Sequence, residues 1–539
     1  MKMRISILTT LLLGGFFLIL TSCRESYPPT DMHRNSVIPK PVSVVASNGT
    51  FVLDEGTSIY VQTGNEGLKK SAVYLAEMLR NATGFELEIE ETDDKPWRGN
   101  IFLTSNVSET ENSSKEYYEL NITEKLVTIA STGAEGSFYG IQTLRQLLPA
   151  GIETAGALEE PLLLPTGTIK DWPQYEYRGA MLDVARHFFD VETVKRFIDY
   201  LALYKMNFLH LHLTDDQGWR IEIESWPNLT KHGGSTEVGG GEGGYFTKAD
   251  YKEIIQYAAD KHITIVPEVD MPGHTNAALA SYPELNCDGK ATDLYTGMKV
   301  GFSTLCTDKE VVYEFVDDVV REISEMTPGP YFHIGGDESH STEQDDYVYF
   351  INRAMDIVKS YGKTMIGWDE VAHAEINSED VVQYWSKEEN ASLGVEKGAK
   401  VLISPAKHAY LDMKYDSTTV LGLTWAGVTE VDKAYNWSPE KLVDGITKEN
   451  ILGVEAPLWS ETVETLDDIE FLIFPRLAGH AEVGWTASKD RSWDEYKERL
   501  GRHQNRFKAL GIDFYQSPLV PWQDEGDFFV QEENKGTSE

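Results

Sequence analysis

Apolar and polar residues follow two rhythms along this chain. The first portion mixes them. "GTFVLDEGTSIYVQ", "NIFLTS" and "KLVTIAST" read as strands, while "KKSAVYLAEMLRNATG" and "GSFYGIQTLRQLLP" carry helical spacing. This mixture predicts a small α+β domain over residues 37–168. At "DWPQYEYRGAMLDVARHF" the rhythm changes. Short β-rich segments now recur at 178–186, 207–215, 263–270, 331–338, 364–369, 380–385, 400–404 and 451–461. Helical patterns fall between many of them, among them "VETVKRFIDYLALYKM", "KADYKEIIQYAADKH" and "KEVVYEFVDDVVREISEM". Repeated strand-then-helix units predict an α/β fold, a (β/α)8 TIM barrel over 169–525 preceded by the smaller α+β domain. The barrel portion closes with an amphipathic helix, "SWDEYKERLGRHQNRFKALG", and an acidic tail follows at 526–539.

The N-terminus adds a targeting signal. Lys2 and Arg4 precede a short apolar run ending in Leu20-Thr21-Ser22-Cys23, so residues 1–22 read as a secretory signal. The ending resembles a bacterial lipoprotein lipobox. That resemblance implies cleavage before Cys23, lipid attachment to its sulfur, and a short tether at 23–36. An ordinary signal peptide or an uncleaved anchor is the alternative. The expected location is the bacterial cell envelope, after export. Cys287 and Cys306 remain; they flank one loop, as a disulfide or as two buried thiols.

The formal net charge of −39 argues against nucleic acid or an anionic membrane surface as partner, leaving the lipid anchor as the expected membrane contact. With no CxxC and no HExxH, zinc and thiol-redox chemistry lack support, and no cofactor is expected. His210 and His212 share one strand face without a carboxylate spacing that suggests a metal. The loop "GGSTEVGGGEGGY" lacks the phosphate-binding pattern and reads as a flexible rim. Oligomeric state is not legible.

Chemistry gathers at the C-terminal ends of the barrel segments, the active-site face of such folds. Arg186, Asp215, Asp216, Glu268, Asp270, Asp337, Glu338, Trp368, Asp369, Trp385, Trp459 and Glu461 all fall there. Tryptophans are not what a wet rim selects; Trp485 and Trp493 read as core instead. "YFHIGGDES" is the most informative stretch, because Asp337 and Glu338 are adjacent carboxylates at the end of a buried strand. Successive side chains point to opposite faces, so both reach one pocket only if Gly335 and Gly336 let the strand break. Even then, neighbours approach a sugar from similar directions, which is poor for one to protonate while the other attacks from behind. A 2-acetamido group on the sugar removes that difficulty. Its carbonyl oxygen attacks the anomeric carbon, one carboxylate steadies the amide, and the other manages the proton.

"HIGGDE", following "HLHLTDDQGWR" and "VPEVDMPGHTNA", resembles the β-N-acetylhexosaminidases of glycoside hydrolase family 20, across nearly the whole mature chain. The resemblance implies an exo-acting, retaining enzyme that removes terminal N-acetylglucosamine, and N-acetylgalactosamine as a further candidate, from oligosaccharides and glycoconjugates without metal or cofactor. It makes Glu338 the acid/base, Asp337 the holder of the acetamido group and Tyr410 the donor to its carbonyl. His274 and Asp215 form a relay beside Glu338. Trp368, Trp385 and Trp459 wall the pocket, and Arg186, Asp412 and Glu461 bind hydroxyls. Each role suits its chemistry: indole faces match sugar faces, and a guanidinium offers fixed donors. The rivals are a family sibling of different glycan preference, a glycosidase with its own nucleophile, and a catalytically inactive lipid-anchored glycan-binding protein.

Overall fold

The computed structural model describes residues 30–107, 114–156, 158 and 161–523. The signal segment, Cys23 and the acidic tail lie outside them.

Seven strands build the first sheet: β1 (Ser43–Leu53), β2 (Ile59–Gln62), β3 (Ile89–Thr92), β4 (Asn100–Thr104), β5 (Tyr118–Ile122), β6 (Leu126–Ser131) and β7 (Leu162–Asp171). Their order is β1-β7-β5-β6-β4-β2-β3, antiparallel at the β1 end and parallel from β6 onward. The run "GTFVLDEGTSIYVQ" is two strands, because Asp54 turns the chain by accepting from the Gly56 N–H. Helix Glu66–Thr83 starts where the Asn65 side chain caps the Leu68 N–H and stops at left-handed Gly84; it buries Leu68, Ala72, Leu75 and Leu79 at helical spacing. It packs against helix Ala134–Leu147.

Eight parallel strands close a barrel: β8 (Tyr177–Asp183), β9 (Phe208–His212), β10 (Thr264–Glu268), β11 (Tyr331–His333), β12 (Thr364–Trp368), β13 (Val381–Tyr384), β14 (Lys400–Ile403) and β15 (Ile451–Leu458), with β15 pairing back to β8. Every expected barrel segment is a strand, but several stop early. The segment 331–338 ends as strand at His333, since Gly335 (φ 68°) and Gly336 (φ 96°) turn the chain out of extended geometry. Arg186, Asp215, Asp337, Glu338 and Glu461 therefore sit on loops beyond strand ends. Helices Val191–Leu203, Lys248–Ala259 and Glu310–Met326 occupy the expected places. The C-terminal amphipathic run is two helices, Trp493–Arg502 and Gln504–Ala509, broken at His503.

The barrel interior is layered. Tyr177 stacks on Phe208 at 4.0 Å beside Val266, Ile366 and Leu402, an apolar floor. Above it lies a polar layer of His210, His333, Gln383 and Glu455. The first domain locks onto the barrel through buried polar contacts. Trp485 Nε1–H and Lys205 Nζ both donate to Asp171, at 2.9 and 3.1 Å, and Arg178 pairs with Glu116 at 2.6 Å. β7 thus carries the sheet to Asp171, past the expected boundary at 168.

Candidate active site

The barrel's C-terminal rim brings the sequence-predicted residues together. His274 and Glu338 both take left-handed backbone, φ 53° and 46°, which costs roughly 1–3 kcal/mol each and points their side chains inward. The His274 Nε2 atom lies 3.6 Å from Asp337 Oδ2 and 3.7 Å from Glu338 Oε2. Its other nitrogen, Nδ1, faces Asp215 Oδ1 at 3.3 Å. Asp215 also receives Arg186 Nη2 at 2.7 Å and His212 Nε2 at 3.0 Å. Asp216, by contrast, caps: its Oδ1 accepts the N–H of Asn276, first residue of helix Asn276–Ser281.

Charge follows from these contacts. Burial works against the Asp215 carboxylate, but Arg186 and then His274 override it and hold its pKa well below the usual range. Burial likewise opposes the His274 imidazolium, yet Asp215, Asp270 and Asp337 push its pKa well up. Glu338 rises above an ordinary glutamate through burial first and the Asp337 charge second. Of the pair, Glu338 opens more to solvent, its side chain 30% exposed against 11% for Asp337.

The pocket wall is aromatic. Trp368 and Trp459 lie 5.7 Å apart, Trp459 lies 6.3 Å from Tyr410, and Tyr410 is nearly parallel to Trp385 at 6.4 Å. Tyr410 is buried, and burial followed by Asp337 pushes its phenol pKa well up, so its hydroxyl stays a donor. Asp412 is buried with both carboxylate oxygens unpartnered among the described residues, as is Glu461 Oε2. Burial and then mutual repulsion raise Asp412 well above the usual range. These three buried oxygens are available to the hydroxyls of a ligand. Arg186 lies 4.8 Å over the Trp459 ring, bound to Asp183 and Asp215, with its Nε making no hydrogen bond among the described residues.

Sequence reasoning missed several participants. Asp183 accepts the Ala185, Arg186 and Ser460 backbone N–H groups and so shapes the loops that carry Arg186 and Glu461. Glu370 accepts Trp385 Nε1–H at 3.1 Å, orienting that wall. Trp425, 55% exposed, stands edge-on to Trp385 and Tyr410 at 6.0 and 5.7 Å, a rim aromatic. Its signal was a tryptophan in the small-residue loop "GLTWAGV" shortly after Tyr410. The glycine-rich loop is no loose rim: buried Arg220 donates to the carbonyls of Gly234, Thr236 and Gly244 and ties it down. The Cys287–Cys306 disulfide closes the loop whose Ser303 donates to Asp216 and accepts from Thr275 N–H. His210, Glu268 and His333 have the spacing of a metal triad. Both Glu268 oxygens, however, already accept N–H groups, including the indole of Trp368 at 2.8 Å, which cannot ligate.

A closed (β/α)8 barrel with two adjacent carboxyls, one of raised pKa, and aromatic walls at its C-terminal rim defines a glycoside hydrolase site. The family models for "Glycosyl hydrolase family 20, catalytic domain" and "Glycosyl hydrolase family 20, domain 2" match residues 175–488 and 34–172, and the chain belongs to glycosyl hydrolase family 20. It is 40% identical over 496 residues to a β-N-acetylhexosaminidase of Cellulomonas fimi, covering 91% of this chain and 98% of that one. The GH20 β-N-acetylhexosaminidase of Streptomyces coelicolor A3(2) superposes with a TM-score of 0.88 at 49% identity, covering 92% of this chain and all (100%) of that one. A mutant Streptomyces plicatus β-hexosaminidase in complex with its product GlcNAc superposes with a TM-score of 0.87 at 48% identity, covering 92% and 100%.

Proposed function

We propose that this chain is an exo-acting β-N-acetylhexosaminidase that removes terminal N-acetylhexosamine with retention, the substrate's acetamido oxygen being the nucleophile. The observation that carries the reading is the Asp337–Glu338 pair, both facing one imidazole from the same loop. Adjacent carboxyls approach a sugar from similar directions, which is poor for one to protonate while the other attacks from behind, so in this reading the attacking atom comes from the sugar. The sugar seats against Trp459 with its hydroxyls on Arg186, Asp412 and Glu461. The acetamido methyl enters the space between Trp368, Trp385 and Tyr410. The Tyr410 hydroxyl donates to the acetamido carbonyl, and Asp337 accepts the acetamido N–H. As that carbonyl oxygen bonds to C1, the glycosidic C–O bond breaks and the Glu338 proton passes to the leaving oxygen. Asp337 balances the charge of the resulting oxazolinium ring. Water then attacks C1 as the C1–O bond of the oxazolinium ring breaks and the acetamide is restored, the water's proton returning to Glu338.

The test is turnover of a chromogenic N-acetylglucosaminide and of the matching glucoside. The N-acetyl substrate should be hydrolysed and the 2-hydroxy one should not; equal rates on both would defeat the acetamido mechanism. Glu338→Gln should lower kcat by about 10²–10⁴-fold. Absence of turnover by the wild type would instead favour a glycan-binding protein.

Export and anchoring through a lipid on Cys23 form part of the same proposal, supported by the lipobox-like ending. The Cys287–Cys306 disulfide suits an oxidising compartment. In a bacterial host the wild type should pellet with membranes and incorporate labelled palmitate. Cys23→Ser should do neither.

A further inference from the structure

Glu268, at the end of β10, is fully buried and takes part in no step above. Its Oε1 accepts Trp368 Nε1–H at 2.8 Å and faces His333 Nδ1 at 3.1 Å. Its Oε2 meets His212 Nδ1 in a very short contact and lies 3.0 Å from His210 Nε2. His210 continues to Glu455 at 2.9 Å, and Glu455 is fixed by Tyr177 and Gln383 in the layer above the barrel floor. In the other direction His212 leads to Asp215, and Asp215 to His274, which faces Glu338. Carboxylates and imidazoles thus alternate from the barrel interior to the acid/base: Glu455, His210, Glu268, His212, Asp215, His274, Glu338; His210 Nε2 and His274 Nε2 lie beside Glu268 and Glu338 at 3.0 and 3.7 Å without making a hydrogen bond.

Resting on the hydrolase reading, we propose that Glu268 is a positioning residue with two arms: it holds the Trp368 wall of the acetamido pocket by the indole N–H, and it holds His212 doubly protonated against Asp215. His212 Nε2 is nearer Asp215 Oδ2 (3.0 Å) than Arg186 Nη1 (3.4 Å), so its proton goes to the carboxylate. With Nδ1 also donating to Glu268, the ring is an imidazolium. The other groups facing it are Asp183 and Arg186 from the β8 end, Asp270 beyond β10, and the Trp459 ring edge-on at 4.9 Å. Burial alone would discharge this histidine; Glu268 and the hydrogen bond to Asp215 overcome it and raise its pKa well above the usual value. Glu268 itself stays ionised despite burial, because His212, His333 and His210 surround it.

Glu268→Gln separates the arms. An indole N–H can only donate, so the amide oxygen keeps Trp368. The amide NH2 then faces His212 Nδ1, which must lose its proton to accept. The site loses the positive charge beside Asp215 together with the Glu268 negative charge, which lies one imidazole further along the contacts from Glu338; the nearer loss dominates, and Glu338 holds its proton more tightly. The alkaline limb of kcat/KM should therefore move to higher pH by about half a unit or more, with little change in KM. Trp368→Phe keeps an aromatic wall without the N–H, so KM should rise several-fold with the limb unmoved.

These profiles are read on a chromogenic N-acetylglucosaminide, with circular dichroism confirming fold. Should Glu268→Gln fail to fold, His212→Gln tests the same arm and should move the limb the same way. An alkaline limb that stays put in the folded variant overturns the proton arm, and an unchanged KM in Trp368→Phe overturns the pocket arm. Failure of the wild type to turn over would strike the hydrolase reading instead, so the two outcomes are distinct.

Discussion

At the residue scale the site sets the Glu338 carboxyl apart by its surroundings. Asp337 and Glu338 are neighbours in sequence, yet Glu338 carries the raised pKa, from burial and then from Asp337. The sign is direct. Glu338 must be protonated to act, so activity survives until pH exceeds its pKa, which lies above the ordinary value of about 4.3. Asp337→Asn removes the neighbouring charge and should bring the alkaline limb of kcat/KM down, besides slowing turnover of acetamido substrates. A limb that moved upward would contradict this electrostatic account. The positions of Glu338, Asp337 and Tyr410 were legible as a motif resemblance. The raised pKa of Glu338 was not, because it depends on groups such as His274 and Asp215 that are remote in sequence.

At the element scale the decisive feature is an early strand end. β11 stops at His333, and the two glycines after it swing the acid pair off the strand and into the barrel mouth. Gly335 is the stricter of the two. A Cβ there would fall 1.9 Å from Asp270 Oδ1 and 2.7 Å from the Asp270 Cα, on a backbone of φ 68°. Gly335→Ala should thus destabilise the fold by more than the roughly 1–3 kcal/mol of backbone strain alone and displace Glu338. A lower Tm together with at least a tenfold loss of kcat, roughly what 1.4 kcal/mol of misplacement produces, is the expected result. Hydrophobic periodicity located all the barrel strands, since buried parallel strands are near-continuous apolar runs. It overran their ends, because polar residues at a barrel rim continue the run without continuing the hydrogen-bond ladder.

At the scale of the whole molecule, buried polar contacts fasten distant segments. His503 is an example: its Nε2 faces the Ser36 carbonyl at 2.8 Å, and its Nδ1 faces the Tyr204 hydroxyl at 3.1 Å. Burial first, and Arg506 second, push its pKa down to about 3. The unfolded chain binds a proton there below about 6.5 while the folded chain refuses it. Stability from this group is complete above that pH and is lost as pH falls toward 3, by up to about 1.4 kcal/mol per pH unit. Denaturant titrations between pH 7 and 4 should show this slope, and His503→Gln should flatten it.

The sequence alone located the barrel strands, the acid pair and three of the pocket's tryptophans, because these rest on local periodicity and contiguous motifs; it left β3, β5 and β7 of the first sheet and the rim residue Trp425 unread. It could not join Glu268 to His210 and His212, or Asp183 to Ser460, since a barrel closes only in space and brings β15 beside β8 across most of its length. Which carboxyl has its pKa raised, which aspartate caps and which faces His274, and where each strand ends were decided by tertiary packing. Burial and through-space charge set those outcomes, and neither is a property of the chain read one residue at a time.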